Sequence, residues 1–185
     1  MRVVFLDRDG VINKYPGDYE YVKSLEEFIF LPGAKPALKA LTGNKIKLFV
    51  VSNQAGVSKG IYSQAELDRI TEYMLKELGD AGVKIEQVMY CIHKEEENCK
   101  CRKPKAGMVE DALAGLKESG YEVDLMNSYF IGDSIRDIET GKSVGLQTIL
   151  VFSGREKPQN SANWKTKPDF TCADIQEAVD IILNR

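Results

Sequence analysis

The residues that most constrain this chain lie near its start. Val3-Val4-Phe5-Leu6 is a short apolar run, rich in β-branched and aromatic side chains, that stops abruptly at Asp7-Arg8-Asp9-Gly10. Such a run predicts a strand buried on both faces. Gly10 predicts a break where the backbone turns or approaches another group closely. Asp7 and Asp9 then stand at the carboxyl end of a buried strand, where open α/β sheets place their ligands. Two carboxylates so close repel each other. A divalent cation, which prefers oxygen ligands, relieves that repulsion; so does a division of labour between an ionised nucleophile and a protonated acid. Both arrangements suit phosphoryl transfer through an aspartyl-phosphate. An ordinary Asp-Gly turn gives the same short pattern, so the rest of the chain has to decide.

The pattern of a buried run with a polar end recurs. Residues 12–31 have no clear period and hold Pro16, Gly17 and three tyrosines, which predicts a long loop of the kind that often carries function. Residues 34–41 read as a helix with Ala34, Ala37, Leu38 and Leu41 on one face. Residues 46–51 read as a second strand ending in Ser52-Asn53-Gln54. Ser63-Gln64-Ala65-Glu66 reads as a capping box opening a helix that runs to about Gly79. Further strands are expected at 85–90, 128–131 and 147–152, and further helices at 107–119, 135–144 and 173–183. Strict alternation predicts an α/β fold: a three-layer Rossmann-like sandwich with a mostly parallel five-strand sheet. At 185 residues the chain reads as one domain over 1–185, with segments between strand ends too short for a separate cap domain.

Composition removes several function classes. A net charge of −3, from 25 basic and 28 acidic residues, lacks the basic footprint expected for nucleic acid. No apolar run approaches the length of a membrane span. Removing a leader peptide would remove Asp7 and the first strand. The expectation is a cytoplasmic, monomeric protein with a small phosphorylated metabolite as its partner.

In a parallel sheet the strand ends share one edge. Asp7, Asp9, Ser52, Asn53, Arg102, Lys103 and Asp133 should therefore converge. Gly132-Asp133-Ser134-Ile135-Arg136-Asp137 places acids at the start of a helix, with Asp137 one turn after Asp133. Helix capping accounts for this stretch taken alone; opposite Asp7 and Asp9 it predicts a magnesium site. Lys103 is a candidate for holding a phosphate and Arg102 for bidentate recognition, although a solvated basic patch would look similar. Ser52-Asn53 alone also reads as a turn. No glycine-rich nucleotide cradle is present.

Cys91-x-His93 followed by Cys99-x-Cys101 gathers three of the four cysteines and the only histidine. The set matches tetrahedral structural zinc with Cys₃His ligation. Four protein ligands would close the site, so zinc should shape the loop and orient Arg102-Lys103 without performing chemistry. Cys172 stands apart and reads as a packed thiol.

Taken together, Asp7-Arg8-Asp9-Gly10, Ser52-Asn53-Gln54, Cys91-x-His93, Cys99-x-Cys101-Arg102-Lys103-Pro104 and Gly132-Asp133 resemble the capless, zinc-loop haloacid dehalogenase-like phosphatases over almost the whole chain. The resemblance implies Asp7 as nucleophile and Asp9 as general acid and then base. It implies Ser52 and Lys103 as the phosphoryl-stabilising pair. It places magnesium on Asp7, the Asp9 carbonyl and Asp133, and substrate contacts on Asn53, Arg102 and the Ser134 position. Lys103-Pro104-Lys105 and Asn53-Gln54-x-Gly56 look like the sugar-bisphosphate branch, while the zinc spacing and loop length also resemble the histidinol-phosphate branch. Ser134 stands where many sugar-bisphosphate enzymes carry lysine. A phospho-accepting signalling module and a zinc-built binding module remain alternatives from other classes.

Overall fold

The computed structural model describes all 185 residues. Six strands form one sheet: β1 (Val3–Leu6), β2 (Lys47–Asn53), β3 (Ile85–Cys91), β4 (Tyr129–Gly132), β5 (Gln147–Val151) and β6 (Phe170–Cys172). Their order is β3-β2-β1-β4-β5-β6, and every pairing is parallel. The helices are α1 (Ala34–Gly43), α2 (Gln64–Asp80), α3 (Gly107–Glu118), α4 (Ile135–Ser143) and α5 (Ile175–Leu183). No helix is long and apolar enough to cross a membrane.

The period-two geometry of β1 explains its sequence. Val4 and Leu6 enter one core layer with α1, α2 and α5, among them Leu38, Ile70 and Val179. Val3 and Phe5 enter the other, with Phe49, Phe130 and the Met108, Val109 and Leu116 face of α3. All four strand residues are 0% exposed, which is why the run is apolar without alternation. β1 has β2 on one side and β4 on the other, so the strand order reverses direction beside it. That reversal is the crevice where doubly wound sheets bind ligands. Asp7 and Asp133 follow the two strands that flank it, and the Asp7 amide extends the ladder by donating to the Ile131 carbonyl at 3.0 Å.

Two expectations need correction. The sheet has a sixth strand, β6, just before the closing helix expected at 173–183, where no strand was expected. Three residues are too few for a sequence period to register, and Asp169 anchors them by accepting from the Thr148 amide and hydroxyl at 2.8 Å each. Arg102-Lys103 does not follow a strand end; β3 stops at Cys91, and the cysteine-bearing loop carries the pair back to the edge. The Ser63 cap is present, its hydroxyl accepting from the Glu66 amide at 3.1 Å.

Gly10 shows what the turn after β1 demands. Its φ is +83°, and a Cβ there would lie 2.2 Å from Asp133 Oδ2. Gly115, on the exposed side of α3, has nothing within 4 Å of a Cβ. Gly10→Ala should therefore destabilise the protein by more than about 1 kcal/mol, while Gly115→Ala should stabilise it by about 0.5–1 kcal/mol. Urea denaturation of the two variants checks both signs.

Candidate active site

The carboxyl edge of the sheet opens into a strongly polar cleft of about 240 Å³. Asp7 forms its floor. The Asp7 carboxylate accepts the Arg8 amide through Oδ1 at 2.7 Å, and its Oδ2 lies 3.0 Å from the Lys103 ammonium. Lys103 is 3% exposed. Its Nζ also meets Asp137 Oδ1 at 2.6 Å and donates to the Val51 carbonyl at 2.8 Å. One hydrogen bond and two ion pairs thus surround the ammonium with three oxygens.

The backbone on either side holds Lys103 in register. Its amide donates to Asn53 Oδ1, and its carbonyl accepts from Asn53 Nδ2, both at 3.0 Å. Asn53 at the end of β2 therefore acts as a two-point clamp, which a turn residue would not. Asp133, buried after β4, accepts the Arg155 amide at 2.8 Å. Ser134 caps α4: its amide and hydroxyl donate to Asp137 Oδ2 at 3.0 and 2.7 Å. The Ser134 side chain borders the cleft but is spent on this box.

Asp7, Asp133 and Asp137 bring carboxylate oxygens within 4.8 Å of one another. Burial pushes the Asp7 carboxyl up to about 6, against the pull of Lys103. Burial, with the neighbouring charges of Asp7 and Asp137, raises Asp133 well above the usual carboxylate range. One ammonium is too little positive charge for three buried carboxylates. A hard divalent cation fits this all-oxygen donor set and would supply the missing charge. The Asp9 carboxylate is not in that group. It faces Arg8, Asn13 and Gln54.

The second donor cluster lies where the loop leaves β3, beside the smaller core layer. Cys91, His93, Cys99 and Cys101 place three sulfurs and the His93 Nδ1 within 4.8 Å of one another, with five of the six separations between 3.2 and 3.6 Å. Tetrahedral zinc with sulfur and nitrogen ligands has edges of about 3.5–3.8 Å. The cluster fits that ion. Arg102 follows directly, its Nη1 donating to the His93 carbonyl at 3.3 Å. Cys172 is buried in the larger core layer, away from both clusters.

The sequence reading missed several residues at this edge. Arg155 and Gly154, in the loop after β5, press on Asp133, and a Cβ on Gly154 would lie 2.0 Å from its Oδ2. Arg8, Asn13 and Gln54 surround Asp9. Arg8 carried a signal: two residues beyond Leu6 in a strand-like alternation, it follows Val4 and Leu6 to the buried side and there needs a partner.

The HAD-hydrolase-like family model matches residues 100–178. The chain is 35% identical over 185 residues to the D-glycero-D-manno-heptose-1,7-bisphosphate 7-phosphatase of Chlorobaculum tepidum, covering 96% of this chain and 92% of the relative. It is 37% identical over 155 residues to the D-glycero-beta-D-manno-heptose-1,7-bisphosphate 7-phosphatase of Pseudomonas putida, covering 84% and 85%. Among solved structures, the D,D-heptose 1,7-bisphosphate phosphatase of B. bronchiseptica, complexed with magnesium and phosphate, superposes with a TM-score of 0.89 at 30% identity, covering 100% of this chain and 99% of that one. A parallel sheet with its carboxylates at the topological switch point, matched over nearly its full length by such relatives, makes this chain a HAD-like phosphatase of the heptose-1,7-bisphosphate 7-phosphatase family.

Proposed function

We propose that the chain removes the 7-phosphate from D-glycero-D-manno-heptose 1,7-bisphosphate, using Asp7 as nucleophile. The observation that carries the residue-level reading is the Asp7–Lys103–Asp137 array: a carboxylate facing an open cleft with a buried ammonium 3.0 Å away. The names of the relatives support the substrate.

Asp7 attacks phosphorus in line with the leaving C7 oxygen. The P–O bond breaks, and Asp9 gives that oxygen a proton. The resulting carboxylate of Asp9 then takes a proton from water as the water attacks the aspartyl-phosphate, which returns free Asp7 and inorganic phosphate. Lys103, with Ser52 beside Asp7, stabilises charge that builds on the equatorial oxygens. Magnesium, held by Asp7, the Asp9 carbonyl and Asp133, would add charge stabilisation at the phosphoryl group. Asn53 and Arg102 border the cleft where the sugar would lie. The Cys₃His cluster would hold zinc and fix the loop that presents Arg102 and Lys103. Its free thiols suit a reducing compartment, so the proposal places the enzyme in the cytoplasm, acting as a monomer on this small substrate.

A phosphate-release screen with magnesium tests the reading, comparing both anomers of the heptose bisphosphate with histidinol phosphate and fructose 1,6-bisphosphate. The heptose bisphosphate should lead in kcat/KM, and Asp7→Asn should abolish its turnover while the fold persists. A preference for histidinol phosphate would replace the substrate assignment, and turnover by the Asp7→Asn protein would remove the nucleophile.

The raised carboxyls have a consequence for stability. An aspartate in the unfolded chain ionises near 3.8, whereas in the cation-free fold Asp7 holds its proton to about 6 and burial raises Asp133 well above the usual carboxylate range. The folded state binds more protons across that window, so cation-free stability should fall as pH rises through it. Magnesium competes with those protons. At about 100 times its Kd it should add about 2.7 kcal/mol, or about 5–10 °C in Tm, at pH 8 and far less at pH 5. Equal shifts at both pH values in thermal melts would contradict the site.

Zinc is tested separately. Freshly purified protein should release about one equivalent of zinc on thiol modification. Stripping it should increase protease cleavage within residues 91–105 and lower kcat/KM by about 100-fold, because Lys103 loses its register. Less than about half an equivalent would count against the closed site.

A further inference from the structure

Arg8 is the largest fully buried side chain in the molecule, at 0% exposure. Nothing in the chemistry above uses it. A buried guanidinium is costly unless paired, and here one nitrogen, Nη1, has no hydrogen-bond acceptor. Its other two nitrogens are spent on a single group. Nε and Nη2 donate to Asp9 Oδ1 at 3.1 and 3.0 Å, and Nη2 also reaches Oδ2 at 3.0 Å. The guanidinium is itself fixed by two rings, with its carbon 6.0 Å from the Phe28 centroid and 5.7 Å from that of Tyr90.

A second arm reaches the same carboxylate. Gln54 Nε2 donates to Asp9 Oδ2 at 3.1 Å and lies 3.2 Å from the Ser52 hydroxyl. The orientation of this amide is set by the Tyr62 hydroxyl, which donates to Gln54 Oε1 at 2.6 Å. Asn13 Nδ2 completes the shell, donating to Oδ1 at 2.8 Å. Oδ1 thus takes three donors and Oδ2 two. The backbone of Arg8 meanwhile donates to Asp7. One residue therefore serves both carboxylates, through its amide and its fork, and keeps them apart.

We propose that Arg8 is a positioning residue for the general acid: its buried fork, with Gln54 as the second arm, sets where the Asp9 carboxyl stands when it protonates the leaving oxygen. This rests on the assignment of Asp9 as the acid. The fork geometry matters as much as the charge, because a lysine ammonium cannot span both carboxylate oxygens in plane. A misplaced acid slows departure of a poor leaving group and matters little for a good one. An arginine that merely fills the core affects both alike.

The test compares kcat/KM for the heptose bisphosphate, whose alkoxide leaving group needs a proton, with that for p-nitrophenyl phosphate, whose phenolate does not. The variants are Arg8→Lys, Gln54→Leu and Asp9→Asn, each checked for fold by circular dichroism and thermal melt. General acid catalysis supplies about 10²–10⁴-fold. Asp9→Asn should lose at least about 100-fold more on the sugar phosphate than on the aryl phosphate, and Arg8→Lys and Gln54→Leu at least about tenfold more. Equal losses on the two substrates in both positioning variants would overturn the inference. Equal losses in Asp9→Asn would instead overturn the acid assignment beneath it. If Arg8→Lys fails to fold, Gln54→Leu and Tyr62→Phe decide, since each weakens the second arm without removing the buried charge.

Discussion

A single buried ammonium holds this site together. Lys103 faces Asp7, Asp137 and the Val51 carbonyl from a position with 3% exposure. At an effective dielectric constant near 20, two unit charges 3 Å apart attract by about 5 kcal/mol, which desolvation of both partners largely offsets. The arrangement is therefore poorly explained as a source of stability. A well-packed apolar triad would serve that end at least as well. What the ammonium provides is a fixed positive charge beside a carboxylate that faces an open cleft.

The fold supplies that charge indirectly. Lys103 lies on no strand or helix. It reaches the sheet edge because β3 delivers Cys91, because the four soft donors gather the following loop, and because Asn53 clamps the Lys103 backbone on both sides. The clamp copies the two-bond exchange of paired strands while using a side chain on one partner. Local order at the donor cluster is thereby converted into the placement of one atom, the Lys103 Nζ, across the sheet.

That division explains what was legible in the sequence. The strand-and-helix alternation, the convergence of Asp7, Ser52, Asn53 and Asp133, and the cysteine–histidine grouping all follow from local patterns that tertiary packing does not alter. The three-residue β6 left no period to detect, and its anchoring through Asp169 and Thr148 is a long-range contact. The Ser134 hydroxyl is turned to Asp137 by capping geometry that spacing alone does not reveal. Arg155 reaches Asp133 through its backbone amide, so its side-chain identity held no information. Arg8 is the instructive case. Period-two alternation sends it into the core between two aspartates that line the cleft, so its burial was written in residues 3–9, but its bidentate partner was not.

The long loop over residues 12–31 forms one wall of the cleft through residues 15–21. It is pinned on one flank by Lys59, which donates to the Tyr21 hydroxyl at 3.1 Å. On the other flank Arg155 Nε meets Asp18 at 3.2 Å, and the Tyr15 hydroxyl donates to the same carboxylate at 2.7 Å. The Asp18 side chain is 60% exposed, so the ion pair contributes at most about 1 kcal/mol. Pins this weak hold a wall without locking it. The bridges of Asn13 to Asp9 and to Phe30 anchor the base of the same loop, and Asn13 also donates to the Asp9 carboxylate. The wall and the Asp9 carboxylate therefore share an anchor. The side of the cleft around Asp7 and Lys103 is held by buried contacts, and the wall over residues 15–21 by exposed ones.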